Sequence, residues 1–225
     1  MIFCIVRGTL IASGLVAAVL ASGSAHAVLQ GRDLNGSADS FEAYYDTDLN
    51  ITWLANANMN GPMDWATANT WAANLSIVDT VNNINYDNWR LPTTLQPDTS
   101  CGDQSGGYSS GLDCTGSEMG HLFYNELGGT AGQSILASAD PDLAKFTNLQ
   151  ANFDHYWSAT EYAPDTDGAW VFEFTHGGQF ALGKHGGLYA LAVSPGDVAA
   201  VPEAETYALM LAGLGLIGWR AWRRG

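Results

Sequence analysis

Glu161, Asp165 and Asp167 fall within one short stretch, with Trp157 just before them and Trp170 just after. Carboxylates hydrogen-bond sugar hydroxyls or hold a hard cation such as Ca2+ through oxygen, and indole faces stack on sugar rings. These five residues are the candidate ligand-binding set. The competing reading places both tryptophans in the core and leaves the acids to solvate a loop.

Other pairings of chemically able residues are weaker. The run Asp46-Thr-Asp48-Leu-Asn50 imitates the opening of an EF-hand loop, but Ile51 stands where glycine is required and Ala57 where the bidentate glutamate belongs. It reads as a polar hairpin turn. Asn56-Ala-Asn58-Met-Asn60-Gly61 has the glycine but lacks the charge and the closing glutamate. Glu118 and His121 are three apart and could share a helix face, but two donors do not make a metal site. His176 and His185 each precede a Gly-Gly pair and read as turn residues. No GxSxG, HExxH, phosphate-binding or dinucleotide-binding fingerprint is present, so the expectation is a non-catalytic chain, with a carboxylate-dependent hydrolase as the alternative.

The elements that must position these residues follow from periodicity. Residues 41–45 and 51–54 read as strands around the Asp46 turn. Trp65, Ala68, Ala72 and Leu75 share one face of a helix over residues 64–76. Trp89-Arg90-Leu91-Pro92 predicts a strand over 89–91 that stops at the proline. Arg90, between two apolar residues in an acidic chain, is expected to centre a structural ion pair. Thr115-Gly-Ser-Glu118 has the form of a capping box, opening a helix with Met119, Leu122, Phe123 and Leu127 on one face, stopped by Gly128-Gly129. Strands are expected over 156–162, 170–175, 180–184 and 188–193, joined at glycine turns.

Charge narrows the partners. Residues 28–202 hold 21 Asp and Glu against four Lys and Arg, a net charge of −17. Such a surface repels nucleic acid and anionic lipid, and leaves neutral glycans, basic partners or bridging divalent cations as easier ligands.

The two ends read as targeting segments. Residues 1–27 have the form of a signal peptide: Arg7, an apolar run over 10–20, then Ala25-His26-Ala27 before a cleavage point. In the exported chain Cys101 and Cys114 are expected to pair, a disulfide contributing about 3 kcal/mol. Residues 199–225 combine Pro202-Glu203-Ala204, an apolar stretch over 206–219, and Arg220, Arg223 and Arg224. This tail resembles the PEP-CTERM sorting signal, although the second proline of the Pro-Glu-Pro motif is replaced by Ala204. The resemblance implies export in a Gram-negative bacterium, a transient helical anchor in the inner membrane, and an exosortase-type processing enzyme as partner. A plain C-terminal membrane anchor is the alternative.

Between the ends, Tyr45-Asp46, Asn50-Ile-Thr-Trp53-Leu54, Asn88-Trp-Arg-Leu-Pro-Thr93, Tyr156-Trp-Ser158 and Ala169-Trp170 resemble the Lcl C-terminal domain family. The resemblance implies one α+β domain over residues 28–198, distantly like C-type lectins and formylglycine-generating enzymes. Two main helices would pack on twisted antiparallel sheet with long loops. It also implies contact with exopolysaccharide or other matrix in biofilm or floc formation, a purely structural envelope or matrix role being the alternative. Ser194 stands where family members commonly carry arginine. No cysteine follows Cys114, which speaks against the formylglycine-generating activity.

Overall fold

A computed structural model describes residues 29–37 and 40–198. The signal-peptide segment, the apolar tail, and Pro202, Glu203, Ala204, Arg220, Arg223 and Arg224 lie outside the described residues. Among the described residues, no helix is long and apolar enough to cross a membrane.

Few helices and three antiparallel sheets make up the fold. Strands β1 (Leu29–Arg32), β2 (Ala43–Asp46), β3 (Ile51–Leu54) and β9 (Val193–Pro195) form one sheet in the order β1-β2-β3-β9. A small hairpin pairs β4 (Ile77–Asp79) with β5 (Ile84–Tyr86), and a third sheet orders β6 (His155–Glu161), β7 (Gly168–Glu173) and β8 (Gly178–Gly183). Helix α1 spans Trp65–Ala73; the Asp64 side chain caps it by accepting from the Thr67 amide at 2.7 Å. It ends before Leu75, and Leu75 and Ile77 turn instead to a separate apolar cluster around Leu54 and Trp89.

The sheet of β6, β7 and β8 is covered on both faces, which explains why β7 is buried along nearly its whole length. Ala169 and Val171 face α1 through Ala68 and Ala72, together with Trp157 and Leu91. Phe172 and Tyr156 face the other core, where Met119, Leu122, Phe123 and Trp53 meet them. The small side chains of α1 allow the close approach; the aromatics fill the wider layer opposite.

Three elements differ from their sequence reading. Residues 89–91 form no strand: Arg90 makes a single antiparallel bridge to Val193, with N–O distances of 2.8 and 2.9 Å. Trp89 and Leu91 go to two different clusters, and Pro92 has no N–H with which to extend the pairing. Residues 188–193 do not return as a fourth strand beside β8. Their apolar run, Ala190 to Val193 all buried, threads the interior and bridges Leu188 to Met63 and Tyr189 to Tyr156 before β9 joins β3. The expected second helix is α2 (Glu118–His121), continued by a π-helical turn over Leu122–Glu126. Its N-cap is Ser117, whose hydroxyl accepts from the Leu95 amide at 3.0 Å, so no capping box forms. Glu118 is instead recruited by Arg90.

Cys101 and Cys114 are joined in a disulfide. The loop they close is stitched to the edge of the third sheet by paired Gly111–Gln179 backbone bonds, both 2.8 Å. Gly120 of α2 faces the base of this loop, where a Cβ would lie 1.8 Å from the Cys114 carbonyl oxygen. No side chain fits there.

Candidate functional site

The sequence-chosen residues separate into different environments. Trp157 is fully buried, and its Nε1–H donates to the Met63 carbonyl at 2.8 Å. It offers no face to a ligand, which corrects its assignment as a stacking residue. The strand register explains this: Trp157 faces α1 in the packed layer. Trp170 is 2% exposed and stands behind two tyrosines. Its ring meets that of Tyr162 edge-on at 5.4 Å, and Tyr162 lies 5.4 Å from Tyr108 of the disulfide loop.

Glu161 ends β6, where the pairing with β7 shifts register after Trp157. Its carboxylate is held by the Lys184 ammonium, which also donates to the Thr166 carbonyl at 2.6 Å and sits 4.3 Å from the Trp65 ring centre. Asp165 and Asp167 are exposed in the following turn, with the Asp165 carboxylate accepting from the Asp167 amide at 3.1 Å. Glu161, Asp165 and Asp167 do not bring ligand oxygens within 4.8 Å of one another, so they form no three-carboxylate Ca2+ set.

What the fold does assemble here is an open aromatic groove. One depression of about 410 Å³ is lined by Tyr108, Tyr162, Trp170 and Phe180 with Ser105 and Ser110. A second, of about 250 Å³, continues it past Gln96, Thr160 and Glu161 and shares Tyr108 and Trp170. Tyr108 and Tyr162 are half-buried, each presenting part of its ring. Gln96 is oriented by its own bonds to Ser109, accepting from the amide at 2.9 Å and donating to the carbonyl at 2.7 Å. A wider groove of about 660 Å³ runs along α1 past Trp71 and Leu75, and among the described residues no titratable side chain lines it.

The sequence does not mark Tyr108, because it sits in a Gly- and Ser-rich loop with no periodicity. Only the pairing of that loop with β8 brings it to Tyr162. The available signal was the cysteine pair, which fixes the loop's ends.

A second constellation lies inside the protein. Asp46, at the end of β2, is fully buried; its Oδ1 accepts from the amides of Asp48 and Leu49, both at 3.0 Å, and its Oδ2 from Trp53 Nε1 at 3.2 Å. His121 Nε2 lies 3.2 Å from Glu126 Oε1 and 3.9 Å from Asp46 Oδ2. Thus His121 pairs with Glu126 and Asp46, and not with Glu118. Residues five apart do not meet on an α-helix. They meet here because the π turn, closed by the Leu127 amide on the Leu122 carbonyl at 2.9 Å, overlays positions i and i+5.

Burial works against a charged His121 ring, but the Glu126 hydrogen bond and the charges of Asp46, Glu126 and Asp48 outweigh it, leaving its pKa above the usual 6.5. Burial raises Glu126 above its usual 4.5 despite the opposing His121 hydrogen bond. Both groups hold their protons more tightly folded than unfolded. Their stabilising contribution is therefore full below the unfolded pKa values and is lost as pH rises through the folded ones. In the presence of a chelator, the stability advantage of the unaltered chain over His121→Asn should shrink as pH rises through and beyond about 6.5. Paired melting curves across that range check it; a constant or growing difference would contradict the shift.

Two other histidines also face a carboxylate. His176 Nδ1 lies 3.2 Å from Glu173 Oε1, and His155 Nε2 lies 3.9 Å from Glu173 Oε2, at the more exposed end of β7.

No curated protein and no solved structure matches the chain. Residues 200–224 match the family model described as the PEP-CTERM protein-sorting motif, which supports an exported, transiently membrane-anchored chain processed by an exosortase-type enzyme in a Gram-negative bacterium.

Proposed function

We propose that the protein is a non-catalytic surface or extracellular-matrix module that contacts exopolysaccharide through the Tyr108–Tyr162–Trp170 groove. The observation that carries this reading is the pair of half-buried tyrosine rings, Tyr108 and Tyr162, backed by the buried Trp170 and set beside the polar groups of Gln96, Thr160, Ser105 and Glu161. Flat aromatic faces with hydroxyl and amide groups at their margins suit an uncharged sugar chain. Among the described residues Glu161 is the one carboxylate in the lining, and Lys184 holds it, whereas glycoside hydrolysis needs two carboxyl groups across the bond. The sorting motif is consistent with delivery to the cell surface or matrix. The Lcl-type, distantly lectin-like reading of residues 28–198 points the same way through its sequence motifs. With a net charge of −17 over residues 28–202, the preferred polymer is neutral or cationic, and not sulfated.

Calorimetric titration of the purified chain with the host's exopolysaccharide tests this. The paired substitution Tyr108→Ala and Tyr162→Ala should weaken binding about tenfold or more, at roughly 0.5–1.5 kcal/mol per lost stacking contact. The melting temperature should fall much less than for a core substitution. If the unaltered chain binds no host polysaccharide with or without Ca2+, the structural envelope role is the better reading.

A further inference from the structure

The buried Asp46–His121–Glu126 constellation has no part in the groove, and its composition is unusual. It combines an imidazole nitrogen and two carboxylates whose ligand atoms all lie within 4.8 Å of one another. The Glu126 side chain has no exposed surface. Its Oε2 is the buried side-chain polar atom that lacks a hydrogen-bond partner among the described residues. Leaving such an oxygen without a partner is costly, and native cores rarely tolerate it without a role.

We propose that Asp46, His121 and Glu126 form a binding site for one divalent transition-metal ion of the Zn2+ class. One nitrogen and two carboxylate oxygens are a donor set that Zn2+ accepts, and imidazole is not a ligand of choice for the hard Ca2+ ion. Around an ion with bonds of about 2.0–2.2 Å, tetrahedral ligand atoms lie roughly 3.3–3.6 Å apart. The 3.2 Å and 3.9 Å separations bracket that value, so small side-chain movements complete the site. A divalent ion balances the two buried carboxylates and takes up the free Glu126 lone pairs. Asp46 is already fixed for the task by the Asp48 and Leu49 amides and the Trp53 indole, the kind of outer support that metal-ligating carboxylates receive. The π turn supplies the third ligand by placing Glu126 over His121, and such turns recur at functional sites. His121 retains 10% of its side-chain surface, which gives the ion a route in.

The test uses the untagged full chain, stripped with a chelator and titrated with Zn2+. One equivalent should bind, and a hundredfold excess over Kd should raise the melting temperature by roughly 5–10 °C. Glu126→Gln and His121→Asn should each weaken uptake at least tenfold, while His155→Ala with His176→Ala should leave it unchanged. X-ray absorption of the bound zinc should show nitrogen and oxygen donors with a single imidazole, a readout that stands on the unaltered chain even where a variant fails to fold. No uptake by the unaltered chain would overturn the proposal, because the cluster is then a proton-sharing pair. Uptake indifferent to Glu126→Gln, or a spectrum with two imidazoles, would overturn it equally by placing the ion on the surface histidines.

Discussion

Replacing Trp157 by alanine is expected to lower stability by about 3–5 kcal/mol, on the order of a 10 °C fall in melting temperature. The indole is fully buried where α1, β6, β7 and Leu91 converge, so its removal leaves a cavity that small neighbours such as Ala68, Ala72 and Ala169 cannot fill. The Met63 carbonyl keeps a partner in the Leu188 amide at 3.0 Å, so the loss is mainly one of packing and less one of a stranded acceptor. Trp157→Phe should therefore cost only about 1–2 kcal/mol. Denaturant melts of the two variants check the ratio. A Trp157→Ala chain that melts normally but no longer binds polysaccharide would restore Trp157 as a ligand residue.

The contrast between Trp157 and Tyr108 shows what could be read from the chain. Local order was legible wherever one residue pattern met one environment. Asp64 preceding a small-residue stripe marks α1, and the cysteine pair marks the disulfide. Ile51 to Leu54 reads as β3, and Trp170 to Glu173 as the greater part of β7. What was harder to read was the role of a residue inside a strand covered on both faces, and the partner of an apolar run. Trp157 and the 188–193 run show no usable alternation, because each side of the strand meets apolar neighbours, and an apolar run does not say which sheet it will join. The groove and the buried cluster were hidden for a further reason, since each depends on a departure from regular geometry. Tyr108 reaches Tyr162 through a glycine-rich loop, where Gly106 and Gly107 take positive φ of 68° and 81°. His121 reaches Glu126 only because the π turn brings together residues five positions apart, where an α-helix would bring together those four apart. A sequence reading that assumes α-helical spacing pairs His121 with Glu118, which the fold sends to Arg90.

Arg90→Leu is expected to lower stability by about 3–4 kcal/mol, toward the lower end for a broken buried ion pair because the arginine side chain keeps 33% of its surface. Its guanidinium makes two parallel bonds of 2.7 Å to Glu118 and a third of 3.0 Å to the Leu91 carbonyl. The backbone of the same residue bridges Val193, and Glu118 Oε2 also accepts from the Thr93 amide at 2.7 Å. Arg90 thus ties three separate segments: the turn before Pro92, the start of α2, and the strand that closes the first sheet. Leucine would leave the Glu118 carboxylate, only 15% exposed, with the Thr93 amide alone. Arg90→Lys keeps the charge but not the paired geometry and should lose about 1–2 kcal/mol. Removing both charges, as Arg90→Leu with Glu118→Met, should recover much of the loss, because most of it comes from the carboxylate left behind and not from the net value of the pair. A double-mutant cycle by thermal or denaturant melting reads that coupling directly. If Arg90→Leu melts like the unaltered chain yet loses polysaccharide binding, the arginine belongs to a ligand site and the ion pair is incidental.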